Sequence, residues 1–173
     1  MRKYSELEIK EKVEIAFGIL LKNDVFLLEY DVNERSISHK LAEYLQKLFP
    51  DYNVDCEYNR VGNLTVDEEY FNKKLRLYKN IKCLDGETTV YPDIIIHKRG
   101  QRENLLVIEI KIVGKGSNIL DDYKKIFGFL IDNNFKYRFG LFLQLAKNKI
   151  TIFDLFGNNT ADLRKLDKKI HEK

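Results

Sequence analysis

Two apolar stretches of this chain carry charges where charges are costly. LLVIEIKIV, residues 105–113, is the most apolar run in the sequence, yet Glu109 and Lys111 interrupt it. YPDIII places Asp93 between Pro92 and three isoleucines. Charged side chains are seldom buried unless they are paired or bind a metal. Side chains alternate along a strand, so Glu109 and Lys111 share one face, and Ile108, Ile110 and Ile112 share the other. Residues 90–97 are β-rich, KRGQREN is a turn-rich connector with Gly100, and residues 105–113 follow. That order predicts a hairpin in which Asp93 approaches Glu109. Two facing carboxylates repel, and burial raises the cost. A divalent cation between them removes the conflict. Hard oxygen ligands suit Mg²⁺ or Mn²⁺, and Mg²⁺ takes only one or two protein carboxylates besides waters and substrate phosphate. The plainer alternative is a structural ion pair, with Lys111 neutralising Glu109 or Asp93 at a sheet edge.

The surrounding pattern supplies elements to hold these groups. Residues 5–21 read as an amphipathic helix with Val13, Ile15, Ala16, Ile19 and Leu20 on its stripe. Residues 26–28 form a short apolar patch. Asn33 is a good N-cap for a helix from Glu34 to Phe49, buried through Ile37, Leu41, Tyr44, Leu45 and Leu48. Glu34 lies on that face, where it either meets the helix dipole or points into a site at the helix start. Residues 52–58 alternate as a strand. Residues 59–84 are polar and read as a loop or insertion, with a helical hint over 68–78. A helix over 119–131 presents Leu120, Tyr123, Phe127, Leu130 and Ile131, and strands follow over 137–146 and 150–156. The expectation is an α/β domain with a mixed sheet flanked by helices.

Composition excludes several classes. The 173 residues suit one domain, and 44% hydrophobic with 33% charged residues is the balance of a globular protein. Thirty basic and 27 acidic residues give a net charge of +3, which permits a nucleic-acid partner without arguing for one. Cys56 and Cys83 form no CxxC motif and have no His/Cys cluster beside them, which argues against zinc and for reduced thiols in the cytoplasm. The charged N-terminal stretch does not read as a signal peptide, and no apolar run reaches membrane-spanning length.

YPDIII followed by IEIK resembles the PD-(D/E)xK nuclease superfamily. Pro92-Asp93 matches its first half, and Glu109-Ile110-Lys111 its second. NERSISHKLAEYLQKLFPDYNVDCEYNR is similar to the helix and first strand of small restriction-endonuclease-like proteins, in which a helix glutamate joins the site. The resemblance spans roughly residues 33–156. It implies a restriction-endonuclease-like mixed sheet and a single domain over 1–173. A helical extension over about 1–32 would precede the core, and a basic C-terminal tail would follow it. It also implies a Mg²⁺- or Mn²⁺-dependent nuclease hydrolysing phosphodiester bonds, expected in DNA. Asp93, Glu109 and the Ile110 carbonyl would hold the metal, Glu34 would join directly or through water, and Lys111 would orient or deprotonate the attacking water. The alternative is a catalytically inactive module of the same fold that binds nucleic acid or assembles with protein.

Secondary candidates are fewer. Asp55 and Glu57 share a face by alternation and, with Arg60, could support a metal; a surface pair is the plainer reading. Lys124, at the edge of its helix stripe, could contact phosphate, while Asp122 reads as a solvated charge. Lys73, Lys74 and Arg76 belong to a basic cluster that could contact nucleic acid or simply form a solvated face. Gly114-Lys115-Gly116-Ser117 lacks the spacing of a nucleotide-binding loop. Phe129 falls about 200° round the helix from Phe127, on the nominal solvent side. The need for two sites to cut a duplex, with that aromatic, suggests a homodimer without requiring Phe129 at its interface; the alternative is a Phe129 covered by the N-terminal helix in a monomer that nicks.

Overall fold

The computed structural model describes residues 4–30, 32–58, 91–114, 118–132 and 135–171, with the backbone alone of 74–76 and 87–89. The chain opens with α1 (Glu6–Asp24), α2 (Phe26–Glu29) and α3 (Glu34–Leu48), then runs through β1 (Asn53–Cys56), β2 (Lys74–Arg76), β3 (Glu87–Thr89), β4 (Ile94–Lys98) and β5 (Glu103–Ile112). It continues with α4 (Ile119–Ile131), β6 (Phe139–Ala146), β7 (Lys149–Gly157) and α5 (Thr160–His171). Five strands form one sheet in the order β1-β4-β5-β6-β7. The β4–β5 hairpin is antiparallel, with Ile94 opposite Ile108. β5 and β6 are parallel, and α4 makes the crossover between them. The sheet is therefore mixed and the fold is α/β. Among the described residues no helix is long and apolar enough to cross a membrane.

Both sheet faces are covered, which explains why β4, β5 and β6 read as continuous apolar runs rather than alternating ones. Ile94, Ile96, Leu106, Ile108, Ile110, Leu141 and Leu143 join α1 and α3 in one core cluster. Ile95, Val107 and Phe142 face the other way and pack with α4 and α5. Glu109 follows Val107 by two residues and so faces α4. Helix α1 is fixed at its start by a capping box, in which Glu8 N–H donates to Ser5 Oγ (3.2 Å) and Ser5 N–H to Glu8 Oε2 (2.8 Å). Its buried residues are Ile9, Val13, Ala16, Phe17 and Leu20, so it belongs to the main core.

Several expectations need correction. Ile15 is 51% exposed, because the buried stripe of α1 runs through Phe17 instead. The helical hint over 68–78 fails at 74–76, where the backbone is a strand paired with β3. The basic C-terminal stretch is helical through His171, and Leu166 and Ile170 seat α5 in the second core. Tyr123 Oη and Lys169 Nζ both donate to Asp154 Oδ2, tying α4, β7 and α5 together.

The largest correction concerns α4. Phe129 is fully buried, edge-on to Phe135 and Tyr137, and offers no surface for a partner. Asp122, Lys125, Ile126 and Phe129 lie at i, i+3, i+4 and i+7, the positions of one helix face. That face meets the sheet. Of the expected stripe, Tyr123 and Leu130 are buried, whereas Leu120, Phe127 and Ile131 are only half-buried. Contact is close: a Cβ on Gly140 of β6 would stand 2.4 Å from Ile126 Cγ2.

Candidate active site

Asp93 stands just before β4. One step beyond the Ile94–Ile108 pair, the hairpin register sets it opposite Glu109. Its Oδ2 accepts a hydrogen bond from the Ile110 N–H at 2.7 Å. Burial pushes the carboxyl up to about 6, against the opposing pull of that N–H. Glu109 is fully buried. Desolvation first, then the neighbouring Asp93, raises its carboxyl well above the ordinary range.

Around this pair the side chains form an alternating chain of charge. Lys125 Nζ donates to Glu109 Oε2 (2.9 Å) and to Asp122 Oδ1 (3.1 Å). Lys111 Nζ donates to Glu34 Oε1 (3.2 Å) and lies 3.4 Å from Asp122 Oδ2. Burial alone would lower the Lys111 ammonium, but Asp122 and Glu34 outweigh it and raise it. Lys125 is raised likewise, chiefly by Glu109 against the cost of burial. Among the described residues, two buried side-chain oxygens have no hydrogen-bond donor, Glu109 Oε1 and Asp122 Oδ2. Four carboxylates (Glu34, Asp93, Glu109, Asp122) meet two ammonium groups (Lys111, Lys125). Full ionisation would leave two formal negative charges, the charge of one divalent cation.

Asp93, Glu109, Lys111 and Glu34 are thus brought together by the β4–β5 hairpin and the first residue of α3. The alternative of an ion pair between Lys111 and Glu109 or Asp93 is not the pairing found: Lys111 pairs with Glu34 and Asp122. Asp122 is not solvated; it is 2% exposed and central to the network. Lys125 is the member that the strand pattern does not reveal; its signal is its position three residues after Asp122, on the Ile126–Phe129 face. Lys124 is 7% exposed, with its ammonium 3.3 Å from Asp121, so it does not stand open to phosphate.

Asp55 and Glu57 go separate ways. The backbone leaves the extended region at Glu57, whose φ is +48°, and alternation ends there. Glu57 pairs with Arg35 at 2.7 Å on the surface. Asp55 instead binds His97 Nε2 at 2.8 Å and accepts from the Arg99 guanidinium. Arg60 and Lys73 lie outside the described residues, as do the side chains of Lys74 and Arg76.

The donor set suits a hard cation. Every carboxylate oxygen is a hard ligand, and the two orphaned oxygens are buried acceptors awaiting a donor or an ion. Among the described residues, no group of three or more His, Cys, Asp or Glu side chains is drawn close enough to cage a metal on its own. Mg²⁺ sites rarely need such a cage, because water and phosphate complete them.

No protein-family model matches the chain, and no curated protein matches it. A solved structure of a protein called SSO0001 is similar at 16% identity over 98% of this chain and 85% of that one, with a TM-score of 0.33.

Proposed function

We propose that this protein is a metal-dependent nuclease of the PD-(D/E)xK type, hydrolysing phosphodiester bonds in DNA. The observation that carries the reading is the charge deficit at the hairpin. Asp93 and Glu109 face each other, burial favours their protonated forms, and Glu109 Oε1 is left without a donor. The order of α3, β1, β4, β5, α4 and β6 supports it, because it matches the helix-Glu, strand, PD strand, E-x-K strand and helix of the restriction-endonuclease-like proteins.

Asp93, Glu109 and the Ile110 carbonyl would hold Mg²⁺ or Mn²⁺, with Glu34 beside them. When bound, the ion would supply Lewis acidity at the scissile phosphate and make a bound water more acidic. Ligation would engage Asp93 and Glu109 in their carboxylate forms. Lys111, held as ammonium by Glu34 and Asp122, counters the charge of the scissile phosphate and orients the water. An amine so firmly protonated is a poor base. The described residues of one chain form one such site, which would cut one strand per encounter. Cleavage of both strands calls for two chains, and a two-fold dimer remains the arrangement that suits a duplex.

A second reading has its own observation. Lys125 already compensates Glu109, as it would in a catalytically inactive module that binds nucleic acid or protein. Incubation with supercoiled, linear, branched and single-stranded DNA, in Mg²⁺ or Mn²⁺ against EDTA, separates the two. The nuclease reading expects metal-dependent cleavage of at least one substrate. Binding without cleavage in either metal would favour the inactive module.

A further inference from the structure

We propose that Lys125 is an exchangeable counter-cation, whose ammonium holds Glu109 and Asp122 in the metal-free protein and is displaced when a divalent ion enters. The inference rests on the nuclease reading and concerns how its site is kept ready.

Glu109 lies on β5 with no solvent access, and α4 presses Asp122 toward it. A buried carboxylate without a partner is strongly destabilising. Lys125 supplies that partner with one ammonium group shared between two carboxylates, at 2.9 and 3.1 Å. The fit is incomplete. Among the described residues no group donates to Glu109 Oε1, and Asp122 Oδ2 has the Lys111 ammonium only at 3.4 Å. Buried polar atoms mostly have a partner, so an unsatisfied oxygen on so deeply buried a carboxylate calls for an explanation. Orphaned oxygens beside a cation mark a place where a larger charge with more coordination fits.

Lys125 is also built to leave. Its side chain is 28% exposed while that of Glu109 is 0%, so the stem has a route to solvent that the carboxylate lacks. A lysine ammonium on a four-carbon stem relocates easily, unlike a planar guanidinium locked by a fork of hydrogen bonds. Lys124, next in the chain, pairs with Asp121 at 3.3 Å and serves as a neighbouring lysine control.

Two measurements test the exchange. The first titrates Mn²⁺ into wild type, Lys125→Gln and Lys124→Gln, counting free Mn²⁺ by electron paramagnetic resonance. Removing a competing charge a few ångströms from a dication should tighten Mn²⁺ binding about tenfold or more in Lys125→Gln, with a much smaller change in Lys124→Gln. The second uses wild type alone, so folding of a variant is not at issue. Lysines are reductively methylated in Mg²⁺ or EDTA and read by peptide mass spectrometry. Lys125 should react faster in Mg²⁺, while Lys124 should not change. Equal Mn²⁺ affinity in wild type and Lys125→Gln, or Lys125 reactivity indifferent to Mg²⁺, would overturn the exchange and leave the nuclease reading standing. No Mn²⁺ binding to any of the three proteins would overturn both.

Discussion

Lys125 Nζ lies 2.9 Å from Glu109 Oε2, bridging α4 to the central strand of the sheet. Glu109 has no exposure, so this contact decides whether its charge can be buried. Removing the lysine in metal-free protein should cost about 3 kcal/mol, because an uncompensated carboxylate remains. Lys125→Met combined with Glu109→Gln should recover much of that loss. The coupling between the two changes should be about 1–3 kcal/mol. Urea denaturation of wild type, both single variants and the double variant in EDTA measures it. Additive single effects would show that the contact carries no energy.

Asp93 gives a pH dependence. Its folded-state value is raised to about 6, above its unfolded value, so the sign is set. The contribution to stability is complete below the unfolded value and is lost as pH rises through the folded one. Glu109, raised further, extends the loss upward. Asp55 and Asp162 are lowered and act in the opposite sense, losing their contribution as pH falls. Comparison with Asp93→Asn cancels those terms. In EDTA, the variant should gain on wild type between about pH 4 and pH 7, by up to ~3 kcal/mol. A difference that stays flat across that range would contradict the assignment.

The sequence made the strand half of this site legible and the helix half obscure. Glu109 and Lys111 stood out because charges interrupt an otherwise apolar strand, and period-two alternation fixed their common face. Asp93 followed from the hairpin, and Glu34 from the N-cap at Asn33. In α4 the apolar residues run almost round the helix, since it is covered by the sheet on one side and α5 on another. The stripe of Leu120, Tyr123 and Phe127 therefore looked as good as the true face through Ile126 and Phe129. Reading Phe129 as solvent-facing and Asp122 as a solvated charge follows from that ambiguity. Helix α5 was missed because only Leu166 and Ile170 are fully buried among its many charges.

The seating of α4 can be tested at β6. Alanine at Gly140 would place its Cβ 2.4 Å from Ile126 Cγ2 and 3.3 Å from Leu130 Cδ1. A β-branched methyl cannot turn aside cheaply, so α4 must lift. Gly140→Ala should cost ~1–3 kcal/mol by thermal or chemical denaturation. It should also loosen the Lys125–Glu109 contact carried by the same helix. An unchanged melting temperature would show that α4 is held less closely than described.

Phe129 offers a simpler check of the same helix. Fully buried against Phe135 and Tyr137, it should cost ~3–5 kcal/mol as Phe129→Ala. Denaturation within ~0.5 kcal/mol of wild type would return it to the surface.

The nuclease reading is tested most directly by the rate of DNA cleavage in Mg²⁺ for wild type and Lys111→Ala, purified in parallel. Lys111 lies half-buried between Glu34 and Asp122, so its removal withdraws a positive charge from the site without opening the apolar core. Wild type should cleave in Mg²⁺ and not in EDTA, and the variant should be slower by about 100-fold or more at an unchanged fold. Cleavage at equal rates by both proteins, or none by wild type in Mg²⁺ or Mn²⁺ on any DNA form, would contradict the account.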